Sequence, residues 1–407
     1  MRRSILAIAP YYDRTVPGES WCTYMWLKGI SERHDLTVLT THNRDWKPQN
    51  SPLPNAEIIN WLHHPLKAPL QKLDRELKPH YIQFYWRATQ WIRENIANRH
   101  FQLIHQINPV APRYPSPAQH SSLPYILGPH AGAVPTPRGF LQEMRHDAWY
   151  RHLRTLDQMR ITFDPLLRRS FSRSSLILGV APYMETLLRP VSPRRFEIMV
   201  ETGPEELINQ QSAILPRKTG QLKLLFVGRL TRTKGVIDAI RAIAELPFNS
   251  QITLDILGEG ELRNQCEQLI ARNSLQNKVF LHGRVPREVV NQYYRSSDIF
   301  LFPSFREASG TVVFEALGAG IPVITASTGG PGYAVTPDCG ICVDPINPKQ
   351  YSTDLAQAIM RLIQNPDRLS EMSAAAVKRV NCIASWDRRY DRLSDLYSSI
   401  LDSPTYK

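Results

Sequence analysis

The sequence PSFREASGTVVFEALGAGIPV, residues 303–323, follows an apolar run, Ile299–Phe302, that is typical of a buried β-strand. Apolar residues in its middle part keep helical spacing, which predicts a helix that begins at Gly310 and ends at Gly320. The apolar run after Gly320 starts another strand. A strand, a loop, a helix and a second strand in this order predict a parallel α/β unit.

Two glutamates lie in this stretch, eight positions apart. Glu307 falls on the loop beyond a strand's carboxyl end, and Glu315 falls about one turn into the helix. The backbone N–H groups of Ser309, Gly310 and Thr311 lie at the helix start, where they can bind a phosphate group. Together these groups could hold a sugar nucleotide, with Glu307 on sugar hydroxyls, the amides on the diphosphate and Glu315 on ribose hydroxyls. For an isolated pair of glutamates, the alternative would be two solvated acids.

The whole pattern resembles the signature of family 4-type retaining glycosyltransferases: Pro-Ser, a glutamate, seven residues, a second glutamate, Ala-Leu and Gly-x-Pro-Val. The resemblance covers residues 222–343 well and the first half of the chain more loosely. It implies the GT-B fold, an α/β architecture of two Rossmann-like doubly wound parallel-sheet domains that face each other across a cleft. The implied reaction moves a hexosyl-type sugar from a UDP-, GDP- or ADP-linked donor to a lipid-linked or cell-surface glycan acceptor.

Length and composition agree with a two-domain globular protein. A chain of 407 residues is long for a single core, and no run approaches the roughly 18 apolar residues that a membrane span needs. The apolar run near the N-terminus is short, so we expect a first strand rather than a signal peptide and a cytoplasmic protein. Five scattered cysteines predict no disulfide framework, and the pair Cys339 and Cys342 is expected to fill small buried positions.

Charge is unevenly spread along the chain. Residues 1–203 contain 26 Lys and Arg against 16 Asp and Glu, a net charge of +10, while the remainder carries +2. A basic half predicts an anionic partner, and without a nucleic-acid-binding motif the surface of an anionic membrane is the better candidate. We therefore expect peripheral contact with the inner face of a membrane.

Short apolar runs alternate with helical stretches along the whole chain, which indicates βαβ units. The strand-like runs are residues 4–9, 36–40, 58–61, 103–106, 124–127, 176–180, 196–200, 222–227, 253–257, 279–281, 299–302, 323–325 and 341–343. The expected helices are residues 19–33, 73–97, 140–171, 235–245, 261–273, 287–295, 351–364 and 385–401. We place an N-terminal acceptor-binding domain at residues 1–203 and a donor-binding domain at residues 204–384. The family resemblance implies that residues 385–401 return to the first domain.

Charged loops follow several strands of the second half. Residues 228–235, GRLTRTKG, place Arg229 and Lys234 five positions apart, and the resemblance implies that both cations stabilise the departing β-phosphate. Glu259 follows another strand, where it is either a ligand contact or a loop residue. In the family, the position of Arg284 adjoins the nucleobase, which backbone atoms read, so the base cannot be predicted.

The first half offers two candidate loops. Gly18 lies where relatives usually carry two glycines, so it is a candidate donor contact although this chain has one glycine fewer. Residues 128–133, GPHAGA, resemble the Gly-Pro-x-x-Gly loop of polysaccharide- and glycolipid-building members, and His130 in this loop is the predicted catalytic residue of the first domain. His105, at the end of another strand, is the second choice.

The sequence contains no Asp-x-Asp pair, and we expect neither a metal nor a cofactor. The resemblance implies a front-side mechanism in which the leaving phosphate helps to deprotonate the acceptor, so no nucleophile is assigned. Residues 81–93 are rich in aromatic and basic residues. Core packing along Ile82, Tyr85, Thr89, Ile92 and Ile96 is favoured over contact with a membrane interface.

Two other functions fit the same architecture. A sugar-nucleotide epimerase would turn over the donor without an acceptor and would use carboxylates of both domains. A non-catalytic sugar-nucleotide or membrane-binding protein would keep the fold but lose a key residue, whereas Glu307, Glu315, Arg229 and Lys234 are all present.

Overall fold

A computed structural model of the chain describes residues 2–42, 51–62, 80–144, 157–204, 222–247 and 250–403. The chain forms two compact units. The first unit comprises Met1–Ala133, Ala148–Glu201 and Trp386–Lys407, and the second comprises Val134–Asp147 and Thr202–Ser385.

The first unit contains a seven-stranded parallel sheet with strand order β3-β2-β1-β4-β5-β6-β7. Its strands are β1 (Ser4–Ile8), β2 (Asp35–His42), β3 (Ala56–Leu62), β4 (Leu103–Gln106), β5 (Tyr125–His130), β6 (Leu176–Gly179) and β7 (Phe196–Ile198). Its helices are α1 (Glu19–Arg33), α2 (His80–Asn95), α3 (Asp157–Phe163), α4 (Pro165–Arg173), α5 (Tyr183–Leu188) and, at the end of the chain, α13 (Trp386–Leu401).

The second unit contains a six-stranded parallel sheet with strand order β10-β9-β8-β11-β12-β13. Its strands are β8 (Leu222–Val227), β9 (Ile252–Leu257), β10 (Val279–Gly283), β11 (Ile299–Phe302), β12 (Val323–Ala326) and β13 (Gly340–Val343). Its helices are α6 (Val236–Glu245), α7 (Arg263–Arg272), α8 (Arg287–Ser296), α9 (Thr311–Gly318), α10 (Gly329–Ala334), α11 (Pro348–Ile363) and α12 (Pro366–Ala384).

The central strands explain why the sequence pattern predicts them well. Residues Ile5, Leu6, Ala7 and Ile8 of β1 are all 0% exposed, and β11 is equally buried along its length. A parallel strand that helices cover on both faces carries apolar residues continuously rather than in alternation. The predicted α/β fold class, with two parallel sheets, is confirmed.

The long helix predicted over residues 140–171 is wrong. Residues Arg138–Phe140 form a single 3-10 turn, residues 145–156 lie outside the described part, and α3 and α4 are separate helices. The break between them has a local cause, because the Asp164 side chain accepts hydrogen bonds from Leu166 N at 3.0 Å and Leu167 N at 3.3 Å. Pro165 then occupies the first position of α4, where its missing N–H costs nothing.

The assignment of residues 1–203 to a single domain also differs from the structure. Residues Val134–Asp147 group with the second unit, although the chain on either side of them belongs to the first. Helix α13 groups with the first unit, where Leu393, Leu396 and Tyr397 are buried in the core that β1, β2 and α1 also form.

Two further observations concern whole-chain properties. Among the described helices, none is both long and apolar enough to cross a membrane. The five cysteines are free, but the pair predicted to be buried is divided, because Cys339 is buried and Cys342 is exposed.

Candidate functional site

Three neighbouring strands of the second unit end in loops that touch one another through their backbones. Gly228 N donates to Leu257 O at 3.0 Å, and Gly258 N donates to Gly283 O at 2.8 Å. Gly258 has a φ of +142°, and a Cβ at this position would lie 1.9 Å from Gly228 O, so no larger residue fits there. The carboxyl ends of β8, β9 and β10 therefore form one continuous edge, where ligands bind in open α/β sheets.

Lys234 and Glu307 meet at this edge, 73 positions apart in the sequence. The Lys234 Nζ atom donates to a Glu307 carboxylate oxygen and lies 5.6 Å from the centre of the Phe302 ring. The two side chains are 17% and 16% exposed, so the ion pair is largely desolvated but still reachable. Nearby, Ser304 Oγ donates to Thr233 O at 3.0 Å, which fixes the loop after β8 against the loop after β11.

The amino terminus of α9 lies directly after Glu307. Gly310 precedes the helix with a φ of +77° and has no side chain to cap it, and Ser309 is 7% exposed. The first N–H groups of a helix have no partner inside it, and the helix dipole favours an anion at that end. The structure therefore brings Lys234, Glu307, Gly310 and Thr311 together as the sequence predicts, and their chemistry suits a phosphate group beside a sugar.

Glu315 points into the protein, toward α8. Its Oε1 accepts from Arg287 at 2.7 Å, its Oε2 accepts from the Tyr294 hydroxyl at 3.0 Å, and the residue is 9% exposed. Burial, together with the Glu315 charge, holds the pKa of Tyr294 well above its ordinary value, so this hydroxyl remains a donor. A carboxylate offers about four lone-pair positions, which leaves acceptor capacity for ribose hydroxyls. Arg287 and Tyr294 are support residues that the sequence motif did not single out.

The remaining predicted residues of the second unit lie outside the cluster formed by Lys234, Glu307 and the start of α9. Arg229 and Arg284 are exposed on the loops after β8 and β10. Glu259 forms an ion pair with Arg263, and a Cβ at Gly283 would lie 2.8 Å from its Oε1 atom. This contact places Glu259 beside the loop of Arg284, but its carboxylate is already engaged by the first residue of α7.

His130 is not on an open loop, contrary to the expectation. It is the last residue of β5, is 2% exposed and packs against Phe171 with a centroid distance of 5.4 Å. Its Nδ1 atom lies 3.0 Å from Val110 O, which can only accept, so Nδ1 carries the proton and Nε2 keeps its lone pair. The Nε2 atom is buried and has no hydrogen-bond partner among the described residues. Burial lowers the pKa of His130 to about 4.

His105, the second choice in the first unit, is fully engaged in the structure. Its Nδ1 lies 2.7 Å from the Tyr397 hydroxyl and its Nε2 lies 2.8 Å from Gly128 O. Burial lowers its pKa to about 4 as well. These bonds join α13 to β4 and β5, so His105 has a structural role.

Gly18 caps the start of α1 with a φ of +91°, and nothing lies within 4 Å of a Cβ built there. Its backbone conformation, rather than crowding, selects glycine. The next residue, Glu19, accepts from Val110 N at 2.8 Å and from the Tyr11 hydroxyl. Glu19 and His130 thus form hydrogen bonds with the backbone N–H and C=O of Val110, respectively. The sequence did not predict this arrangement, because it depends on residues far apart in the chain.

Helix α2 places its aromatic residues on two faces. Tyr81, Phe84, Tyr85, Ala88 and Ile92 are buried, whereas Ile82 is 66% exposed and Trp86 is 61% exposed. The predicted core stripe is therefore wrong for Ile82, which shares the outer face with Trp86 four positions later.

Comparison with known proteins adds family information to this geometry. Residues 208–379 match the family described as Glycosyl transferases group 1. A D-inositol 3-phosphate glycosyltransferase of Thermobispora bispora is 32% identical over 190 residues, which are 44% of this chain and 43% of that protein. The chain thus spans less than half the length of the first curated relatives that it matches.

Solved structures match over nearly the whole chain. Sucrose-phosphate synthase from Thermosynechococcus elongatus superposes with a TM-score of 0.67 at 18% identity, covering 98% of this chain and 99% of that one. HepE of Anabaena, solved in complex with UDP, gives a TM-score of 0.66 at 17% identity, covering 98% of this chain and 100% of that one. At these identities the likeness concerns the fold.

Proposed function

We propose that this chain, which has the GT-B fold and contains a Glycosyl transferases group 1 domain, is a glycosyltransferase that uses a nucleotide-diphosphate sugar. The observation that carries the proposal is the Lys234–Glu307 pair beside the amino terminus of α9, within the matched residues. A cation and helix amides on one side and a carboxylate on the other are what a sugar diphosphate requires.

Each group has a part in the proposed transfer. The bond between the anomeric carbon and the β-phosphate oxygen breaks, the acceptor oxygen bonds to that carbon, and the acceptor proton passes to the leaving phosphate. Lys234, Arg229 and the N–H groups at the start of α9 stabilise the charge of the leaving diphosphate. Glu307 orients the sugar hydroxyls and stabilises positive charge at the anomeric carbon.

The finer features of the reaction follow the family 4 resemblance. We propose retention of configuration through front-side attack, with Glu315 on the ribose and Arg284 near the base. Lys234 and Arg229 supply positive charge without a divalent metal, so transfer should continue in EDTA. HepE was solved with UDP, which makes UDP the first nucleotide to test.

The acceptor and the membrane form the remaining part of the proposal. Trp86 and Ile82 project from α2, and the Tyr85 hydroxyl beside them lies 2.8 Å from His120 Nε2. Arg93 of α2 lies 3.5 Å from His120 Nδ1, and burial and then the charges of Arg93, Arg169 and Arg173 lower the pKa of His120. We define the Trp86 patch as Ile82, Trp86, Arg93, Arg169 and Arg173. Its exposed aromatic ring and three cations suit an anionic bilayer carrying a lipid-linked acceptor. A cytoplasmic location stays a prediction.

Nucleotide binding tests the proposal directly. Thermal shifts of the wild-type chain are measured with UDP, GDP and ADP, and again with Lys234→Ala and Glu315→Ala. Lys378→Ala is the matched control, because this exposed lysine lies on α12 outside the site. One nucleotide should stabilise the wild type and the control, and both site variants should lose that shift. Stabilisation of none of the proteins by any nucleotide would contradict the proposal.

Turnover then separates the alternative functions. A glycosyltransferase releases nucleoside diphosphate in an acceptor-dependent manner, whereas an epimerase converts the donor sugar with no acceptor present. A binding protein shows the thermal shift and neither reaction.

A further inference from the structure

A short segment from the first half of the sequence packs onto the second unit. Residues Val134–Asp147 group with that unit, and Phe140 within them is 0% exposed. The Phe140 ring lies 4.3 Å from Phe305 and 5.9 Å from Tyr351, between centroids. A Cβ at Gly139 would lie 2.1 Å from Ile346 O, so the backbone of this turn lies directly against the loop before α11.

The same segment holds Arg232 through Glu143. The Arg232 Nε atom donates to Glu143, while its two terminal nitrogens donate to Asp238 at 2.5 Å and 2.9 Å. The guanidinium also lies 5.1 Å from the ring centres of both Phe140 and Phe305. The guanidinium thus has two carboxylate partners and two aromatic neighbours, and its side chain is only 11% exposed. Such an arrangement fixes an arginine more firmly than a single ion pair.

Electrostatics agree with this geometry. Burial acts to lower the pKa of Arg232, but the charges of Asp238 and Glu143 outweigh it and hold the pKa above its ordinary value. Asp238 is 0% exposed, and Arg241 lies 3.7 Å from the other Glu143 oxygen. Removal of Glu143 would leave one buried carboxylate facing two arginines and would free the Nε side of Arg232.

Arg232 belongs to the loop that carries the proposed phosphate-binding cations. It begins the 3-10 turn Arg232–Lys234, two residues before Lys234 and three after Arg229. The segment also reaches the other side of the site, because Arg306 donates to Thr136 Oγ1 at 3.0 Å and Arg306 immediately precedes Glu307. Residues on both sides of the Lys234–Glu307 pair are thus held by one stretch of about ten residues.

We propose that Glu143 and Phe140 are positioning residues for the donor diphosphate, acting through Arg232 to hold the Arg229–Lys234 loop in its binding conformation. This inference rests on the proposed function. It adds that the donor site is not complete within residues 202–385 and requires a strap, residues 134–144, from the first half of the sequence.

The test compares a nucleoside diphosphate with its nucleoside. The probe is the diphosphate among UDP, GDP and ADP that stabilises the wild type most, and calorimetry measures its affinity and that of the matching nucleoside. Glu143→Ala should weaken diphosphate binding about tenfold. The variant loses the charged hydrogen bond between Glu143 and Arg232, so the Arg229–Lys234 loop is no longer held in its binding conformation. Nucleoside affinity should stay within about twofold, because the strap contacts described above reach Arg232, Phe305 and Arg306 rather than the loop proposed to adjoin the base. Gln142→Ala, an exposed neighbour on the same turn, is the control and should bind both as the wild type does.

The outcomes separate this inference from the function on which it rests. Equal losses for diphosphate and nucleoside would show general loosening of the unit, and unchanged diphosphate binding in Glu143→Ala would show no positioning role. Either result overturns the strap proposal while wild-type binding leaves the proposed function standing. If the wild type binds none of the three diphosphates, both proposals fall. Glu143→Gln keeps the shape of the side chain and one acceptor oxygen, so it should bind the diphosphate more tightly than Glu143→Ala does. This variant distinguishes the loss of the hydrogen bond from a folding defect in the alanine variant.

Discussion

The two units place different chemistry at the carboxyl ends of their strands. In the second unit, the polar side chains there are charged and paired, as in Lys234–Glu307 and Arg287–Glu315. In the first unit, β5 ends in His130 and His105 lies one residue before the end of β4, and burial lowers the pKa values of both histidines to about 4. Formal charges suit a diphosphate, whereas the neutral imidazole of His130, whose Nε2 has no partner among the described residues, suits a hydroxyl group. The charged motif of the second unit lies within residues 208–379, which match the family model.

The largest expected effect is the difference between the losses of kcat caused by substitutions at Glu307 and at His130. Glu307→Gln should lower kcat about 10²- to 10³-fold, because a charge that stabilises the transition state is removed from a largely desolvated site. His130→Gln should lower it about tenfold or less, since the buried Nε2 atom provides at most one hydrogen bond. Steady-state kinetics with saturating donor measure both. A larger loss for His130→Gln than for Glu307→Gln would reverse the proposed division of labour between the units.

A second prediction concerns the pH dependence of stability. The pKa values of His105 and His130 are lowered to about 4 in the folded chain, against an ordinary value of 6.5 in the unfolded chain. Between these pH values the unfolded chain binds more protons, so stability is full above pH 6.5 and falls as the pH approaches 4. The upper limit of the loss is roughly 3 kcal/mol for each residue. Denaturant unfolding measured at several pH values should therefore show that the unfolding free energy of the first unit falls between pH 7 and pH 4.

The control for that experiment is His105→Gln, which removes one of the buried histidines whose pKa is lowered in the first unit, a set that also includes His34, whose pKa burial lowers to about 4, and His42. Its unfolding free energy should depend less steeply on pH between 6.5 and 4 than that of the wild type. A second unit that lost stability over the same interval as steeply as the first would show that the buried histidines are not the cause.

The smallest expected effect concerns the uneven charge of the two halves. The Trp86 patch should bind vesicles that contain phosphatidylglycerol more strongly than vesicles of phosphatidylcholine, and salt should weaken the binding. The double variant Ile82→Ser, Trp86→Ser should lower the sedimented fraction a few-fold. Phe280→Ser is the control, because Phe280 is a 38% exposed aromatic residue of the second unit. Binding that ignores anionic lipid, or that the control weakens equally, would contradict a membrane role for this patch.

The sequence predicts much of the fold because the strands are buried and parallel. Apolar runs such as Leu222–Val227 and Ile299–Phe302 coincide with β8 and β11, and Gly310 marks the start of α9. The motifs predict Lys234 and Glu307 separately as donor contacts, and the structure adds that they meet, because β8 and β11 are neighbours in the sheet.

Other features could not be read from local patterns. The burial of His130 depends on Phe171, and the position of residues 134–144 depends on the bond between Glu143 and Arg232, 89 positions away. The break at Asp164 and Pro165 is different, because a capping residue followed by proline is a local signal that could have divided the predicted helix.

The C-terminal helix has a consequence for how the protein is made. Helix α13 buries Trp386, Leu393 and Leu396 in the core of the first unit, and Arg389 donates to Val200 O at 2.8 Å while lying 3.8 Å from the Trp386 ring centre. On a ribosome, the second unit is synthesised before α13. Until then, the part of the first unit's apolar core that α13 covers remains exposed. The first unit therefore completes its apolar core only after all residues of the second unit have been synthesised.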